Sequence, residues 1–399
     1  MTTAQIRQYP FSQSDQLDVD PLFAVLRKEE PLCRVRMPYG EPAWLATRYA
    51  DVRTVLGDAR FSRAAATGRD QPRIRAHAGP PGNIMSLDPP EHSRLRRLVM
   101  SAFTMRRVEA LRPRAQEIAD GLVDRMIADG SPGELVDGFA LPLPITVICE
   151  LLGVPVDDRH EFRVWSDAFL STTRFTPQEV ADNVGALREY MAGLIADRRR
   201  ESRDDLISAL VIARDQDDRI SEDELLSMAE AILVAGHETT ASQIPNFVYV
   251  LMHNPAHLDA LRDDPDLVPK AVEELMRFVP LGVGGSTARY ALEDVDLGGV
   301  TVRAGEPVVV ALNSANRDET VYPDPDEIDF ARSDAPHVGF GHGAHHCLGA
   351  PLARMELQVA LRTLVTRLPG LRVAGTDEDV VWKSGLATRA PEHFPIAWD

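Results

Sequence analysis

The chain has 399 residues, 44% of them hydrophobic, and it carries a formal net charge of -18 at pH 7. This length allows a sizeable core, while the excess of negative charge disfavours nucleic acids and anionic membranes as partners. No stretch reaches the ~18 apolar residues that a membrane helix needs, and the N-terminal residues lack the apolar run of a signal peptide.

The cysteines and the turn residues bear on the compartment and on the number of domains. Cys33, Cys149 and Cys347 are an odd and sparse set, which argues against a disulfide framework and is typical of a reducing compartment. The 29 prolines and 26 glycines are scattered along the chain and do not gather in a linker. We therefore expect one domain over residues 1–399, in the cytoplasm.

Much of the chain spaces apolar residues at three and four, which is the pattern of amphipathic helices. In chain order, the sequence predicts a strand at 44–47, helices at 108–128, 178–200, 222–253 and 267–277, strands at 299–303 and 307–311, and a helix at 351–367. The predicted strands are short and bounded by turn residues. The fold class is therefore mainly α with small β-sheets.

A cluster of arginines interrupts the acidic background. Its members lie within fourteen residues: Arg94, Arg96, Arg97, Arg106 and Arg107. The commoner interpretation of such a cluster is a solvated helix face. The alternative is a local basic patch for an acidic partner or an anionic cofactor.

The helix predicted at 222–253 begins with a capping-box pattern, Ser221 with Glu224. Its 32 residues span roughly 48 Å, so it must cross the core. It contains a polar interruption, Ala-Gly-His-Glu-Thr-Thr at 235–240, between apolar neighbours. A carboxylate buried there is costly unless it serves a function.

Pro245 lies well inside this predicted helix. It lacks an N–H group, and its ring collides with the carbonyl of Ala241. We therefore expect a kink or a local unwinding of the helix just past Thr240. The pair His237-Glu238 does not complete a zinc-protease motif, because position 241 is alanine where that motif has histidine.

The segment from Phe340 to Gly349 surrounds Cys347 with glycine and histidine. Glycines let the backbone approach a flat ligand closely, and a helix that starts with Pro351 in its first turn favours a thiolate at the cysteine. Three other interpretations exist: a buried structural cysteine, a Cys–His nucleophile pair, and a zinc site. The zinc ligands would be His342, His345, His346 and Cys347, which are crowded together without a distant second pair.

The pattern Phe340-Gly-x-Gly-x-His345-x-Cys347-x-Gly349 resembles the haem-binding loop of cytochromes P-450. The resemblance implies the cytochrome P-450 fold, with haem b between a long central helix and the helix after the cysteine loop. It makes Cys347 the axial ligand of the haem iron and places Phe340, Gly341 and Gly349 in the loop that carries it.

Further motifs follow the family's order. Glu274 and Arg277 resemble its E-x-x-R pair, with Arg332 as the third member of a structural charge triad. The expected partners of the haem propionates are His92, Arg96, Arg289 and His345. The oxygen-binding groove corresponds to Ala235, Gly236, Glu238 and Thr239. In the groove, small residues leave room for dioxygen, Thr239 offers a hydrogen bond and Glu238 relays protons.

The resemblance implies a monooxygenase that inserts one oxygen atom from O₂ into a substrate. Because no flavin or iron–sulfur cysteine pattern is present, electrons are expected from NAD(P)H through an external ferredoxin and its reductase. An acidic ferredoxin would suit the arginines at 94–107, and a monomer is the family's default. A peroxide-driven enzyme and a non-catalytic haem carrier or sensor are the rival interpretations, and both leave the intact Glu238-Thr239 pair unexplained.

Several segments also resemble actinobacterial enzymes that tailor macrolide antibiotics of the mycinamicin and rosamicin type. The glycines at 282–285 add little volume, so a large apolar substrate would fit beside them. Hydroxylation, epoxidation or successive oxidation would follow, and other polyketides, terpenoids or peptides are the alternative substrates. The expected pocket residues are Ile84, Met85, Phe169, Leu170, Leu281, Val283, Gly284 and Leu386.

Overall fold

The computed structural model describes residues 6–11, 16–76, 82–155, 159–216, 219–283, 287–333 and 335–399. The chain divides into two compact units, each built from two segments of the chain. We call them the sheet unit (Met1–Arg94 with Glu273–Cys347) and the helical unit (Leu95–Val272 with Leu348–Asp399). The predicted pocket residue Gly284 lies outside the described residues.

The helices are α1 (Leu22–Glu29), α2 (Tyr49–Gly57), α3 (Glu91–Met100), α4 (Met105–Asp129), α5 (Pro142–Leu152), α6 (Arg159–Leu170), α7 (Pro177–Arg200), α8 (Leu206–Asp215), α9 (Glu222–Met252), α10 (Pro255–Asp263), α11 (Val268–Phe278), α12 (Leu312–Ala315) and α13 (Ala350–Arg367). The strands are β1 (Arg7–Gln8), β2 (Leu32–Arg36), β3 (Ala43–Ala46), β4 (Phe61–Ser62), β5 (Gly133–Glu134), β6 (Arg289–Ala291), β7 (Val295–Leu297), β8 (Val300–Val302), β9 (Pro307–Val310), β10 (Arg372–Val373), β11 (Val381–Trp382), β12 (Pro391–His393) and β13 (Pro395–Ala397).

The sheet unit is organised by one sheet with the strand order β1-β2-β3-β9-β6-β4. Strands β2 and β3 form an antiparallel pair, and β3 continues in parallel to β9. Successive side chains of a strand point to opposite faces. Leu32 accordingly packs in the cluster that includes α2, while Cys33 and Val35 pack in the cluster that includes α1. Both faces of the sheet are thus covered, and β6 and β9 lie in its interior.

The helical unit is organised around α9, which packs against α5, α7 and α13. Most of its side chains between Leu225 and Leu251 are buried. The antiparallel pair β11–β12 belongs to the C-terminal segment of this unit and follows α13 in the chain. Residues of the C-terminal segment therefore lie beside the polar part of α9.

The predicted elements are confirmed to within one residue at each end, except that the helix predicted at 108–128 begins three residues earlier, at Met105 of α4. The helix predicted at 222–253 is α9 (Glu222–Met252), and both hydrogen bonds of its capping box are present between Ser221 and Glu224. The predicted local unwinding past Thr240 is wrong, because the α-helix is assigned without a break through Pro245. Pro245 and the residues before and after it in α9 are buried, and tertiary packing of this kind is the physical reason for a helix that continues past a proline. Among the described residues, no helix combines the length and apolarity that crossing a membrane demands.

Candidate active site

The cysteine loop contains two glycines in the left-handed backbone region. Gly341 and Gly343 have φ of +75° and +71°, and a Cβ on Gly343 would lie 2.4 Å from the carbonyl oxygen of Leu56. The amide of Cys347 donates to the carbonyl of Phe340 at 2.9 Å, which closes the loop. Cys347 is solvent-exposed, whereas both other cysteines of the chain are buried.

Cys33 and Cys347 therefore have different chemistry. Burial raises the pKa of the Cys33 thiol to about 12, as expected for a structural cysteine in a core. Cys347 lies three residues before α13, in a tight loop and away from any disulfide. Among the described residues, no group of three or more His, Cys, Asp and Glu side chains is arranged to hold a metal ion.

A cluster of basic side chains lies in the sheet unit, and we call it the basic cluster: Arg63, His92, Arg289 and His345. Arg63, His92 and Arg289 are each at most 5% exposed. Arg63 Nη1 lies 3.2 Å from His345 Nδ1, and the rings of His92 and His345 have centroids 4.2 Å apart. The carboxylate near them is Asp88, which accepts from the amide of Arg63 at 2.9 Å and from the hydroxyl of Ser62.

Burial lowers the pKa of Arg63, Arg289 and His345, and the charges of basic neighbours add to this effect at Arg63 and His345. The pKa falls to about 9 for Arg63, to about 10 for Arg289 and to about 2 for His345. The causes at His345 are burial followed by the charges of Arg63, His92 and Arg289. Within the described residues, Arg63 Nε and His345 Nε2 are buried without a hydrogen-bond partner. Crowded buried cations with donors to spare fit an anionic ligand that carries more than one negative charge.

The two carboxylates of a haem meet this requirement. Three of the four residues predicted as propionate partners, His92, Arg289 and His345, belong to the cluster. The fourth, Arg96, lies one turn after His92 in α3 and is half-buried. Sequence reasoning missed Arg63, because a single arginine after a two-residue strand carries no local signal of burial beside a distant histidine.

The predicted charge triad is assembled in the sheet unit. Arg277 donates to both oxygens of Glu274, at 2.7 and 2.8 Å, and Arg332 Nε donates to the same carboxylate at 3.2 Å. The three side chains are at most 7% exposed. Arg277 also donates to the carbonyls of Asn316, Pro325 and Glu327. The triad thus fixes the segment that leads into the cysteine loop, because a buried pair of this kind holds its surroundings in one geometry.

Two residues in the polar interruption of α9 are accessible to solvent. Ala235 is exposed and Thr239 is half-buried, although their helix is otherwise largely buried. The hydroxyl of Thr239 donates to the carbonyl of Ala235 at 2.9 Å. Helix packing also requires a glycine at position 236, since a Cβ there would lie 2.6 Å from the side chain of Ile148 on α5. The glycine lets α5 and α9 approach each other closely.

Glu238 is 1% exposed and is held by two donors in the helical unit. Lys383 Nζ lies 2.5 Å from Glu238 Oε1, and the hydroxyl of Ser242 donates to the same oxygen at 3.1 Å. Burial alone would raise the pKa of Glu238, but the Lys383 ammonium and its neighbours outweigh that effect and lower it. Glu238 is therefore an ionised carboxylate at neutral pH. Sequence reasoning missed Lys383, which comes from a distant part of the chain.

The predicted pocket residues are distributed over both units. Ile84 and Met85 lie in a short 3₁₀ turn of the sheet unit, where Met85 is 50% exposed, and Leu281 and Val283 are half-buried. In the helical unit, Leu386 forms a bridge with Ser171, directly after Phe169 and Leu170. The structure thus brings the end of α6 together with the C-terminal segment.

The comparisons with known proteins cover the whole chain. A family model described as Cytochrome P450 matches residues 18–370. Two curated proteins share 54% identity with the chain, each with 100% of both sequences covered: the nocardicin C N-oxygenase of Nocardia uniformis subsp. tsuyamanensis and the mycinamicin IV hydroxylase/epoxidase of Micromonospora griseorubida.

Solved structures agree. A mutant of the mixed-function P450 MycG in complex with mycinamicin IV matches with a TM-score of 0.91 at 54% identity, covering 99% of this chain and 100% of that one. HinD, solved with NMFT and NO, matches with a TM-score of 0.96 at 48% identity over 99% and 100% of the two chains. The predicted fold is thereby confirmed, and the chain belongs to the cytochrome P450 family of haem monooxygenases.

Proposed function

We propose that the chain is a ferredoxin-dependent monooxygenase that hydroxylates or epoxidises a macrolide antibiotic intermediate. The observation that carries the substrate class is the 54% identity, over the full length of both chains, to the mycinamicin IV hydroxylase/epoxidase. The chemistry itself follows from membership of the cytochrome P450 family.

The cofactor in this proposal is haem b. Cys347 supplies the axial thiolate, and the basic cluster with Arg96 holds the propionates through charge-assisted hydrogen bonds. When bound, the haem iron supplies the activation of dioxygen, helped by electron donation from the thiolate. Glu274, Arg277 and Arg332 keep the cysteine loop in place.

The protein's own part in the reaction is to deliver protons and to exclude bulk water. The Thr239 hydroxyl, which now donates to the carbonyl of Ala235, can turn and donate its proton towards the open side of α9. It is replenished from Glu238, whose carboxylate takes a proton from the solvent side and passes it inward. Burial of the surrounding helix limits the entry of water to this route.

The electron donor in the proposal is an acidic ferredoxin. Arg97, Arg106 and Arg107 are exposed, and the amide of Arg107 belongs to the capped first turn of α4. Exposed arginines on an otherwise acidic chain attract an acidic partner locally. The protein acts as a monomer in this proposal.

One experiment tests the site and the substrate together. The difference spectrum of reduced protein with and without CO should show the Soret band of a thiolate-bound haem, and Cys347→Ala should abolish it. Mycinamicin IV should then shift the haem absorption of the wild-type protein and be converted to oxygenated products. A thiolate band without a mycinamicin shift would refute the macrolide and leave the monooxygenase.

A second candidate function is oxygenation at nitrogen. It is favoured by the equal 54% identity to the nocardicin C N-oxygenase. Nocardicin C offered in the same titration distinguishes the two, since only the preferred substrate class should give both a spectral shift and a product.

A further inference from the structure

Asp88 joins two members of the basic cluster through hydrogen bonds to their backbone. Its Oδ1 accepts from the amide of Arg63 at 2.9 Å, and its Oδ2 accepts from the amide of Ala64 at 3.3 Å and from the hydroxyl of Ser62. Its own carbonyl accepts from the amide of His92 at 2.9 Å, in the first turn of α3. One half-buried residue therefore fixes the backbone from which the side chains of Arg63 and His92 extend.

The pairing of β4 with β6 brings a second arginine to the same place. Ser62 in β4 pairs with Tyr290 in β6, in antiparallel register. Arg63 directly follows Ser62 and Arg289 directly precedes Tyr290, so the two arginines lie on neighbouring segments of chain. Burial lowers the pKa of Arg63, and the positive charge of Arg289 adds to this effect. Because the two charges repel, Arg63 would gain by moving away from Arg289 if its backbone were free.

The guanidinium of Arg63 is held less firmly than its backbone. Its Nη1 lies 3.2 Å from Nδ1 of His345, and its Nε is buried without a hydrogen-bond partner among the described residues. A long side chain that becomes ordered only on binding weakens the binding, whereas one that is held beforehand avoids this cost. A fixed backbone at position 63 therefore prepares the donors of this arginine for an anionic ligand.

We propose that the Asp88 carboxylate is the positioning group that places the guanidinium of Arg63 where it meets a carboxylate of the haem. A carboxylate accepts hydrogen bonds and has none to donate, so Asp88 acts through the backbone of Arg63 and offers the haem carboxylates no contact of its own. Its role is therefore separate from that of the propionate partners. The inference rests on the proposed assignment of the basic cluster to the haem carboxylates.

The charge of Asp88 is a second route by which this residue acts on the cluster. Burial lowers the pKa of Arg63 and of Arg289, and the negative charge of Asp88 opposes both shifts. The charge acts at a distance, whereas positioning requires the hydrogen bond to the Arg63 amide. Asp88→Asn removes the charge and keeps an acceptor oxygen for this amide, while Asp88→Ala removes both. The difference between these two variants therefore reports the hydrogen bond alone.

The test is the transfer of haem from each loaded variant to an excess of apomyoglobin. Asp88→Ala should lose haem about tenfold faster than Asp88→Asn, because a hydrogen bond from a charged donor is then misplaced. The comparison is repeated in the Arg63→Gln background, as a double-mutant cycle. There the two variants should lose haem at equal rates, because no guanidinium is left to be positioned.

Two further variants serve as controls for the loss of a turn and for folding. Asp58→Ala removes another aspartate that accepts from a backbone amide, that of Arg60 at 2.9 Å, and it should leave haem transfer unchanged. Ser62→Ala removes one donor to the Asp88 carboxylate without changing its charge, and it replaces Asp88→Ala if that variant does not load haem. Ser62→Ala should speed haem loss in the wild-type background and leave it unchanged in Arg63→Gln. The thiolate CO band at the start shows that each variant is folded and loaded.

The outcomes separate the two proposals. Equal haem loss in Asp88→Ala and Asp88→Asn overturns the positioning role. A difference that persists in the Arg63→Gln background overturns it as well, since Asp88 then acts through another group. A difference that is present only with Arg63 supports it. If Arg63→Gln alone loses haem no faster than the wild type, the assignment of the basic cluster to the haem carboxylates fails, and the positioning role fails with it.

Discussion

Replacing Arg63 with glutamine is expected to have opposite effects on the protein with and without haem. The side chain is 5% exposed, faces His345 at 3.2 Å and has a buried Nε without a partner among the described residues. With haem bound, it should donate to a propionate. A hydrogen bond to a charged group contributes about 1.5–3 kcal/mol, so its loss should weaken haem binding by about ten- to a hundredfold.

In the haem-free protein, the buried charge of Arg63 destabilises the folded state. The folded-state pKa of Arg63 is lowered from its ordinary value to about 9, first by burial and then by Arg289. At neutral pH the unfolded chain therefore holds this proton more tightly than the folded chain does. The difference corresponds to at most about 5 kcal/mol against folding, and Arg63→Gln should recover part of it.

The assays are haem transfer to an excess of apomyoglobin and urea unfolding of the haem-free protein. Arg60→Gln is the matched control, since Arg60 is 45% exposed, lies three residues away and pairs with Asp58. Arg63→Gln should lose haem faster than Arg60→Gln and should unfold at a higher urea concentration once haem is removed. Equal haem transfer in the two variants would refute the assignment of the basic cluster to the propionates. A less stable apoprotein in Arg63→Gln would refute the destabilisation attributed to the buried charge.

Three further predictions concern the helical unit. Thr239→Ala should raise peroxide release and lower the product formed per NAD(P)H, and unchanged coupling would contradict its part in proton delivery. Asp167→Asn should stabilise the fold at pH 7 by up to about 3 kcal/mol. An acid whose folded pKa is raised from 3.8 to about 6 loses stability as pH rises through this window, so the gain should vanish near pH 4 in urea unfolding. Arg106→Glu combined with Arg107→Glu should raise the KM for ferredoxin at low ionic strength, with a smaller effect at high salt, and a salt-independent KM would count against the patch.

The helices could be predicted from the sequence because their signals are local. The capping box at Ser221 and the apolar spacing of α9 lie within one stretch of chain, and each is present in the structure. Pro245 shows the limit of a local rule. The rule that a proline destabilises a helix holds for an isolated helix. In the folded protein, the packing of buried neighbours decides whether the helix continues. The sequence cannot give this balance without the tertiary contacts.

The site could be predicted in part for the same reason. Glu238 and Thr239 stand in one motif, and Cys347 stands in another, so each motif could be recognised alone. Lys383 and Arg63 could not, because their partners lie 145 and 282 residues away in the chain. An isolated lysine or arginine is most often solvated, and only a fold can show that it is buried beside a carboxylate or a histidine.

The substrate is harder to infer than the chemistry because the two are encoded in different parts of the chain. Relatives that oxygenate a macrolide and nocardicin C share the same 54% identity with it, so whole-chain similarity does not decide between them. A haem monooxygenase oxygenates carbon or nitrogen according to which atom the pocket places within reach. We therefore propose that selectivity comes from side chains of the predicted pocket, such as Met85 and Leu386. A change of these residues should alter the product without altering the thiolate spectrum.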